Sequence, residues 1–468
     1  MEQSNFKRFL LLWMGELISA IGGGLTSFGL GVYVFEKTGS AAGMAVVTLL
    51  GFLPTLLLSV PAGVLADRYD RRLLMMLGDG CSAVGIIYIL ICMLRGEATL
   101  PQICIGVFVS SVFSALLEPA YRATVSDLLT EDEYSKASGL VSLAGSARYL
   151  VSPVIAGILL SISDVKLLLI IDICTFILTV ISTFVVKKGI RESRKAEQVS
   201  FKESLRTGWK AVCARRGVLL LVLMSSLLTL FIGVFQILAE PLILSMADAR
   251  TLGIAETICA SGMLVSSLYL GIRGIKTGYV RILSVSLALA GGCIIGFGML
   301  DQIVIITVAG FGFFLMLPFA NNCLDFLVRT NTPGELQGRI WGFVGFLSQI
   351  GYVIAYGLSG ILADRITGSY EISVGKGAGI VMSFAGAALI LLSLSIPFVK
   401  EIRLLEKKSE PVAGQYGVVN FPEMNLTSKT FVSYNRKKRS FWRFDDEGYA
   451  NKGKNTVCRT RSFCSKGL

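Results

Sequence analysis

Six ionisable residues sit inside long apolar stretches of this 468-residue chain: Glu16, Glu118, Arg148, Asp172, Glu240 and Asp325. A charge so placed costs about 2.5–3.5 kcal/mol or more unless it is paired or wetted. Helical spacing gathers several of them into polar stripes. Glu16, Ser19, Gly23 and Thr26 share one face, as do Ser111, Ser114, Glu118 and Arg122. Further on, Thr229, Gly233, Gln236 and Glu240 align, and so do Asn321 and Asp325. The chemistry on offer is reversible protonation. Desolvation favours a neutral carboxyl and a nearby cation favours the ionised one, so a pair that parts in one conformation can take up and release a proton. Glu118 fits best, with Arg122 one turn away and Arg148 at similar depth on the next span, and Glu16 comes second. The other reading of Glu118 and Arg148 is a fixed buried ion pair. Asp325 can pair with Arg329 four residues on. Glu240, just before Pro241, is also consistent with a helix-end charge. Asp172, on a stripe with Thr175 and Thr179, is expected to be structural.

Other chemistries are excluded by what is missing. With no histidine, there is no H-E-x-x-H zinc site, Ser-His-Asp triad or imidazole relay. The ten cysteines are scattered without a C-x-x-C pair and read as small apolar residues. No G-x-x-x-x-G-K-[ST] loop is present to cradle ATP phosphates. No cofactor is expected, and the chain is not read as an enzyme.

The elements that carry these residues are membrane helices. The chain is 53% hydrophobic and 16% charged, with mean hydropathy +0.68. About twelve apolar stretches begin near Phe9, Ala42, Leu73, Leu100, Ala137, Val165, Val218, Leu252, Ile282, Ile303, Arg339 and Ala378. Each approaches the roughly 20 residues that a spanning helix needs. In hydrocarbon only helices or closed barrels satisfy the backbone, and these runs are too long for barrel strands. The first run, residues 9–35, is likewise too long for a signal peptide. The fold class is therefore an all-α membrane protein of twelve spans.

One set of loops holds Lys7, Arg8, Arg68, Arg71, Arg72, Lys136, Arg273, Lys276, Arg281, Arg329, Arg339 and the basic stretch 187–216. The other holds only Lys37, Arg95, Lys166, Arg250, Arg365 and Lys376. By the positive-inside rule both termini are expected in the cytoplasm. Residues 1–186 and 217–400 form two six-span halves around the central loop 187–216. Pro119 and Gly139 recur as Pro318 and Gly338, which suggests related halves with a binding site at the midplane between them. Residues 401–468 are expected to be a basic, disordered cytoplasmic tail, because residues 429–468 hold 11 Lys and Arg against three acids. That tail either touches anionic lipid or has no function. The charge does not point to nucleic acid.

Gly63-Val-Leu-Ala-Asp67-Arg68-Tyr-Asp70-Arg71-Arg72 resembles the signature loop of the major facilitator superfamily, G-x-L-a-D-r-x-G-R-[KR], with Asp70 in place of the second Gly. Together with Glu36-Lys-Thr-Gly-Ser40, Gly51-Phe-Leu-Pro54 and residues 333–340, it is similar to the macrolide-efflux branch. The resemblance covers residues 1 to about 405. It implies two six-helix bundles in alternating access, with spans one, four, seven and ten lining the cavity. It also implies a proton-coupled exporter of amphipathic compounds such as macrolide-like drugs, monomeric in the cytoplasmic membrane. An exporter of a siderophore-like metabolite, an importer, or a transport-dead scaffold or sensor on this fold are the alternatives. The expected cavity residues are Glu16, Glu118, Arg122, Arg148, Gln236 and Glu240. The gating loop is Gly63, Asp67, Arg68, Asp70, Arg71 and Arg72, where a carboxylate amid guanidinium groups can lock the bundles on the basic face. Ser152-Pro153-Val-Ile-Ala-Gly157 is similar to the superfamily's glycine-proline antiporter motif, with Ser152 in place of a Gly. Aromatic residues Trp13, Phe28, Tyr121, Phe235, Phe314, Tyr352 and Tyr356 could receive an apolar substrate. Gly360-Ile-Leu-Ala-Asp364-Arg365 echoes the signature loop on the opposite face and is assigned no gating role.

Overall fold

The computed structural model describes residues 5–129, 133–187, 216–331 and 337–409, together with 433–435, 440–444 and 450–452. The N-terminal half consists of α1 (Phe6–Thr38), α2 (Ala41–Arg68), α3 (Arg71–Leu94), α4 (Leu100–Ser114), α5 (Leu117–Leu128), α6 (Tyr134–Leu150), α7 (Ser152–Ile162) and α8 (Val165–Lys187). The C-terminal half consists of α9 (Arg216–Leu244), α10 (Ala249–Arg273), α11 (Tyr279–Met299), α12 (Ile303–Thr330), α13 (Gln337–Tyr370), α14 (Val374–Ser395) and the short α15 (Lys400–Ser409). Twelve of the described helical stretches are long and apolar enough to cross a membrane, with α4–α5 and α6–α7 each counted as one. The central loop, Glu131 and Glu335 lie outside the described residues, as do the side chains of Asp67 and Arg339.

Local sequence explains where the helices break. Pro119 has no N–H for the carbonyl of Ala115, and the fourth span breaks at Ala115–Leu116. Pro153 does the same to the fifth span, which breaks at Val151. The helices α9 and α12 run through Pro241 and Pro318 unbroken. Gly39 ends α1 in the left-handed region at φ 58°, which a residue with a Cβ rarely adopts. Ser40 then caps α2, its hydroxyl accepting the Gly43 N–H at 3.0 Å. Between α9 and α10, hydrogen bonds from Thr251 hold the capping Asp248 carboxyl below its usual range.

Within each half the packing is close. Helix α1 packs on α8, and α3 on α4 and α8; in the other half α9 packs on α13, and α11 on α12 and α14. Small residues allow this, since hydrocarbon gives helices no hydrophobic reason to associate. At Gly379 an added Cβ would come within 2.1 Å of the Gly298 carbonyl.

The folded unit reaches Glu410 rather than stopping at residue 400. Helix α15 buries Ile402 and Leu405, with Leu405 against Gly217. Its Glu406 carboxylate accepts the Val280 N–H at 3.3 Å, and its Leu405 carbonyl accepts from Asn331 at 3.3 Å. Residues 411–468 form a separate unit. Its described part differs from a tail without regular structure: β1 (Ser433–Asn435), β2 (Ser440–Phe444) and β3 (Ala450–Lys452) pair antiparallel, with Trp442 opposite Ser433 and Lys452. The aromatic residues of Ser-Phe-Trp-Arg-Phe in β2 favour a strand.

These contacts separate two truncations. Ending the chain after Ser409 is expected to leave folding and transport intact. Ending it after Val399 deletes two buried aliphatic side chains, Ile402 and Leu405, whose burial contributes about 1.5–3 kcal/mol each, and is expected to lower the thermal unfolding temperature and the abundance in the membrane. Equal stability of the two truncations would contradict the role given to α15.

Candidate functional site

The two halves meet toward the face opposite the basic loops. There α2 packs on α13, and α7 on α10. The Asp364 carboxylate of α13 sits on the N-terminus of α2. It accepts the Ser40 hydroxyl at 2.6 Å and the backbone N–H groups of Ala41 and Ala42, each at 3.0 Å. These N–H groups have no partner inside their own helix and carry the positive end of its dipole. Gly360, one turn earlier, lets the backbones approach: a Cβ there would lie 2.6 Å from the Ala41 carbonyl. The Gly–Ala–Asp echo of the signature loop is therefore a cap joining the halves, a contact that the sequence reading, which gave it no gating role, did not include. Sequence placed Asp364 on the correct face, but only the antiparallel pairing of α2 and α13 reveals what it meets. Further seals follow the same face. Phe52 packs edge-on against Tyr352 and Tyr356, with centroids 5.9 and 5.6 Å away. Thr257 donates to the Leu150 carbonyl at 3.0 Å. Gly157 and Gly253 admit the backbones of α10 and α7.

Below these seals, toward the basic face, the cleft exposes polar side chains. Glu118 and Arg122 form an ion pair at 2.6 Å, both 72% exposed. Arg148 does not join it. Its guanidinium donates to the Ser27 hydroxyl at 3.2 Å, so the expected buried pair between Glu118 and Arg148 is absent. The reason is the break before α5, whose first turn carries Glu118 with Arg122 on the same face. Glu16 is partly buried behind them, and the charges acting on it are those of Glu118 and Arg148. Asp325 and Asn321 are exposed on α12.

Two expected stripes turn out to serve packing. Thr26 donates to Asp172 at 2.6 Å and Thr175 donates to the same carboxylate at 3.3 Å, which makes Asp172 the structural residue it was expected to be. The open face of α1 runs instead through Gly23 and Ser27. Thr229 donates to the Ser348 carbonyl, Gly233 packs on Tyr352 and Ala355, and Gln236 accepts the Tyr356 hydroxyl at 2.7 Å. That stripe therefore faces α13. Glu240 lies between the halves, where a Cβ on Gly31 would come 2.7 Å from its Oε2. Phe235 stacks on Phe313 at 4.5 Å and meets Phe314 edge-on at 5.6 Å. Trp13 is tied to the Leu140 carbonyl at 2.6 Å and Phe28 is core.

At the signature loop, Asp70 explains its own departure from the pattern. It caps α3, its carboxylate accepting the Arg72 N–H at 3.1 Å. Arg71 ties α2 to α5, donating to Asp127 at 2.6 Å and to the carbonyls of Ala123 and Ala66 at 3.2 and 3.3 Å. Arg72 is buried, Arg68 is exposed, and nothing crowds Gly63. Sequence reasoning passed over two acids inside spans. Asp79 on α3 is 1% exposed, and Glu256 on α10 is partly buried within reach of the charge of Glu240. Neither was singled out with a polar stripe in the sequence. Their signal is simply an acid within an apolar run.

Residues 12–356 match the sequence model of the Major Facilitator Superfamily. The chain belongs to that superfamily. It is a multi-pass membrane transporter, not an enzyme. Macrolide efflux protein A of Streptococcus pyogenes is 26% identical over 416 residues, 86% of this chain and 99% of that protein. The enterobactin exporter EntS of Escherichia coli O1:K1 / APEC is 24% identical over 408 residues, 83% of this chain and 92% of that one. Among solved structures, a bacterial homologue of the iron transporter ferroportin in an inward-facing state has a TM-score of 0.64 at 14% identity, covering 84% of this chain and 100% of that one.

If the Asp364 cap holds the halves together, Asp364→Ala removes about 1–2 kcal/mol and shifts the conformational balance severalfold toward opening at this face. In a cysteine-free background, a cysteine at Ser27 is expected to react faster with an impermeant maleimide added from this face, with Asp364→Glu intermediate. An unchanged rate would contradict the cap.

Proposed function

We propose that the protein is a proton-coupled exporter of amphipathic compounds such as macrolide-like drugs. It acts as a monomer in the cytoplasmic membrane, with the basic face and both termini in the cytoplasm. The observation that carries this reading is the closed contact between the halves at one face, together with an exposed carboxylate, Glu118, that a moving proton can visit. Substrate enters from the cytoplasm or inner leaflet and rests against Tyr352, Tyr356 and Phe314, near Glu240 and Gln236. Release requires the Asp364 cap to open.

The opposite lock is the signature loop. Helices α2 and α13 are antiparallel neighbours, and Asp67 belongs to the basic-face end of α2. Closing the basic face engages Asp67 as the far cap releases. The similarity to macrolide efflux protein A supports the drug class. The similarity to an enterobactin exporter supports a second reading, export of a siderophore-like metabolite from the same cleft.

Coupling rests on the cleft carboxylates. Glu118 is the wet entry point, held by Arg122, and Glu16 lies behind it. In an efflux-deficient host, the chain is expected to raise macrolide resistance. In inverted vesicles with an imposed pH gradient, Glu118→Gln is expected to lower macrolide accumulation at least about tenfold while equilibrium binding changes by no more than about threefold. Wild-type accumulation by the variant, with the same sensitivity to uncoupler, would make Glu118 structural. Siderophore export without macrolide resistance would select the second reading.

A further inference from the structure

Asp79 sits in the third span, 1% exposed, and neither of its carboxylate oxygens has a hydrogen-bond partner among the described residues. Buried polar groups almost always find partners, and Asp172 on the facing helix shows how this bundle satisfies a structural carboxylate. Asp172 accepts hydroxyls from Thr26 and Thr175. Nothing does this for Asp79. Arg72 Nε on its own helix, the Tyr121 hydroxyl on α5 and the Thr183 hydroxyl on α8 are buried and without a partner among the described residues, yet none of them bonds Asp79; the other polar groups near it are committed elsewhere or are acids themselves. On its own helix Ser82 bonds Gly78, Ser110 and Ser114. The charges acting on Asp79 are those of Glu16 on α1 and Asp172 on α8. On α5 the Tyr121 hydroxyl, buried and within reach of the charge of Glu16, also lacks a partner among the described residues. The nearby cations are turned to other groups or lie too far along the chain. Arg148 acts on Glu16 and Asp172 and bonds Ser27. Arg71 is held by Asp127, and Arg72 lies two turns away on α3.

An ionised carboxylate so placed, dry and faced by two other acids, is strongly disfavoured. One positive charge neutralises it. Among the described residues no group of three His, Cys, Asp or Glu side chains is spaced to hold a metal ion. A proton needs only one oxygen. Three acids of falling exposure lie within one another's electrostatic reach: Glu118 at 72%, Glu16 partly buried, Asp79 at 1%. Glu118 acts on Glu16, and Glu16 acts on Asp79.

We propose that Asp79 is the inner terminus of the coupling-proton path, loaded from the cleft through Glu118 and Glu16. Because neither Asp79 oxygen has a partner among the described residues in this state, the proton crosses by way of a water entering from the cleft: the O–H bond of one carboxyl breaks as a new O–H bond of the water forms, and another O–H bond of that water breaks as the O–H bond of the next carboxyl forms. The donor returns to carboxylate, the water is regenerated, and one proton moves. Glu118 and Glu16 exchange protons with the wet cleft, and Asp79 holds one while this conformation lasts. The proposal rests on the reading of the protein as a proton-coupled exporter.

Purified protein in proteoliposomes tests it with a radiolabelled macrolide. Asp79→Asn, which keeps the shape and removes the titratable group, is expected to lower accumulation driven by a pH gradient at least about tenfold. Macrolide–macrolide exchange, which needs no net proton movement, is expected to stay within about threefold and to lose its pH dependence. Asp79→Glu, which restores a carboxyl, is expected to recover gradient-driven accumulation. Wild-type accumulation by Asp79→Asn would overturn the proposal. So would equal loss of exchange and thermal stability in both variants, because that marks a structural residue. If the wild type follows a sodium gradient and ignores pH, the occupant is sodium and the proton path is overturned. If the wild type follows neither gradient, the coupled-export reading itself fails.

Discussion

Hydrocarbon offers neither a hydrogen bond nor a counter-charge, and the described acids of the spans differ in how they meet that constraint. The backbone is satisfied within helices. Asp172 is satisfied by two threonines. Glu118 and Arg122 stay in the open cleft as a wet pair. Asp364 escapes the constraint by capping a helix of the other half. Asp79 alone among these acids is both dry and unpartnered within the described residues. Where an acid is satisfied it holds structure, and where it is wet or unpartnered it is available to move a proton.

The same constraint keeps the seal between the halves weak enough to open. It consists of a carboxylate cap worth about 0.5–2 kcal/mol and aromatic contacts of about 0.5–1.5 kcal/mol each, with glycines that bring the backbones into contact. Their sum is a few kcal/mol, the range over which substrate and proton binding can reverse a two-state balance. A buried ion pair bridging the halves would be costlier to break than to lack. A helix cap serves better, because its N–H groups and its carboxylate can both meet water when the halves part.

The spans were legible in the sequence because length and apolarity are one-dimensional. The helices begin within a few residues of the apolar runs, from Phe6 to Val374. The cleft was only partly legible. A stripe shows that residues share a face and not what that face meets. Thr26 turned out to serve Asp172, and Thr229 to serve Ser348. Asp79 has Ser82 three residues on and Arg72 seven back at helical spacing, but the sequence reading did not single that face out. The role of Asp364 depends on a contact between residues more than 300 apart in the chain, made by helices that run in opposite directions. The sequence offered Glu118 two cations, Arg122 one turn along its own helix and Arg148 on the next span, without deciding between them; Glu118 pairs with Arg122.

The central claim is that the two faces open in alternation, with the far face closed by the α2–α13 contact in the state seen here. It is tested most directly by measuring two distances in one protein population by pulsed electron resonance. One pair of spin labels, at Arg95 and Glu371, reports the far face; the other, at Lys136 and Lys276, reports the basic face. The account predicts that lowering the pH or adding a macrolide moves the two distances in opposite directions, one lengthening as the other shortens. Distances that rise and fall together, or a far-face distance that never changes, would contradict it.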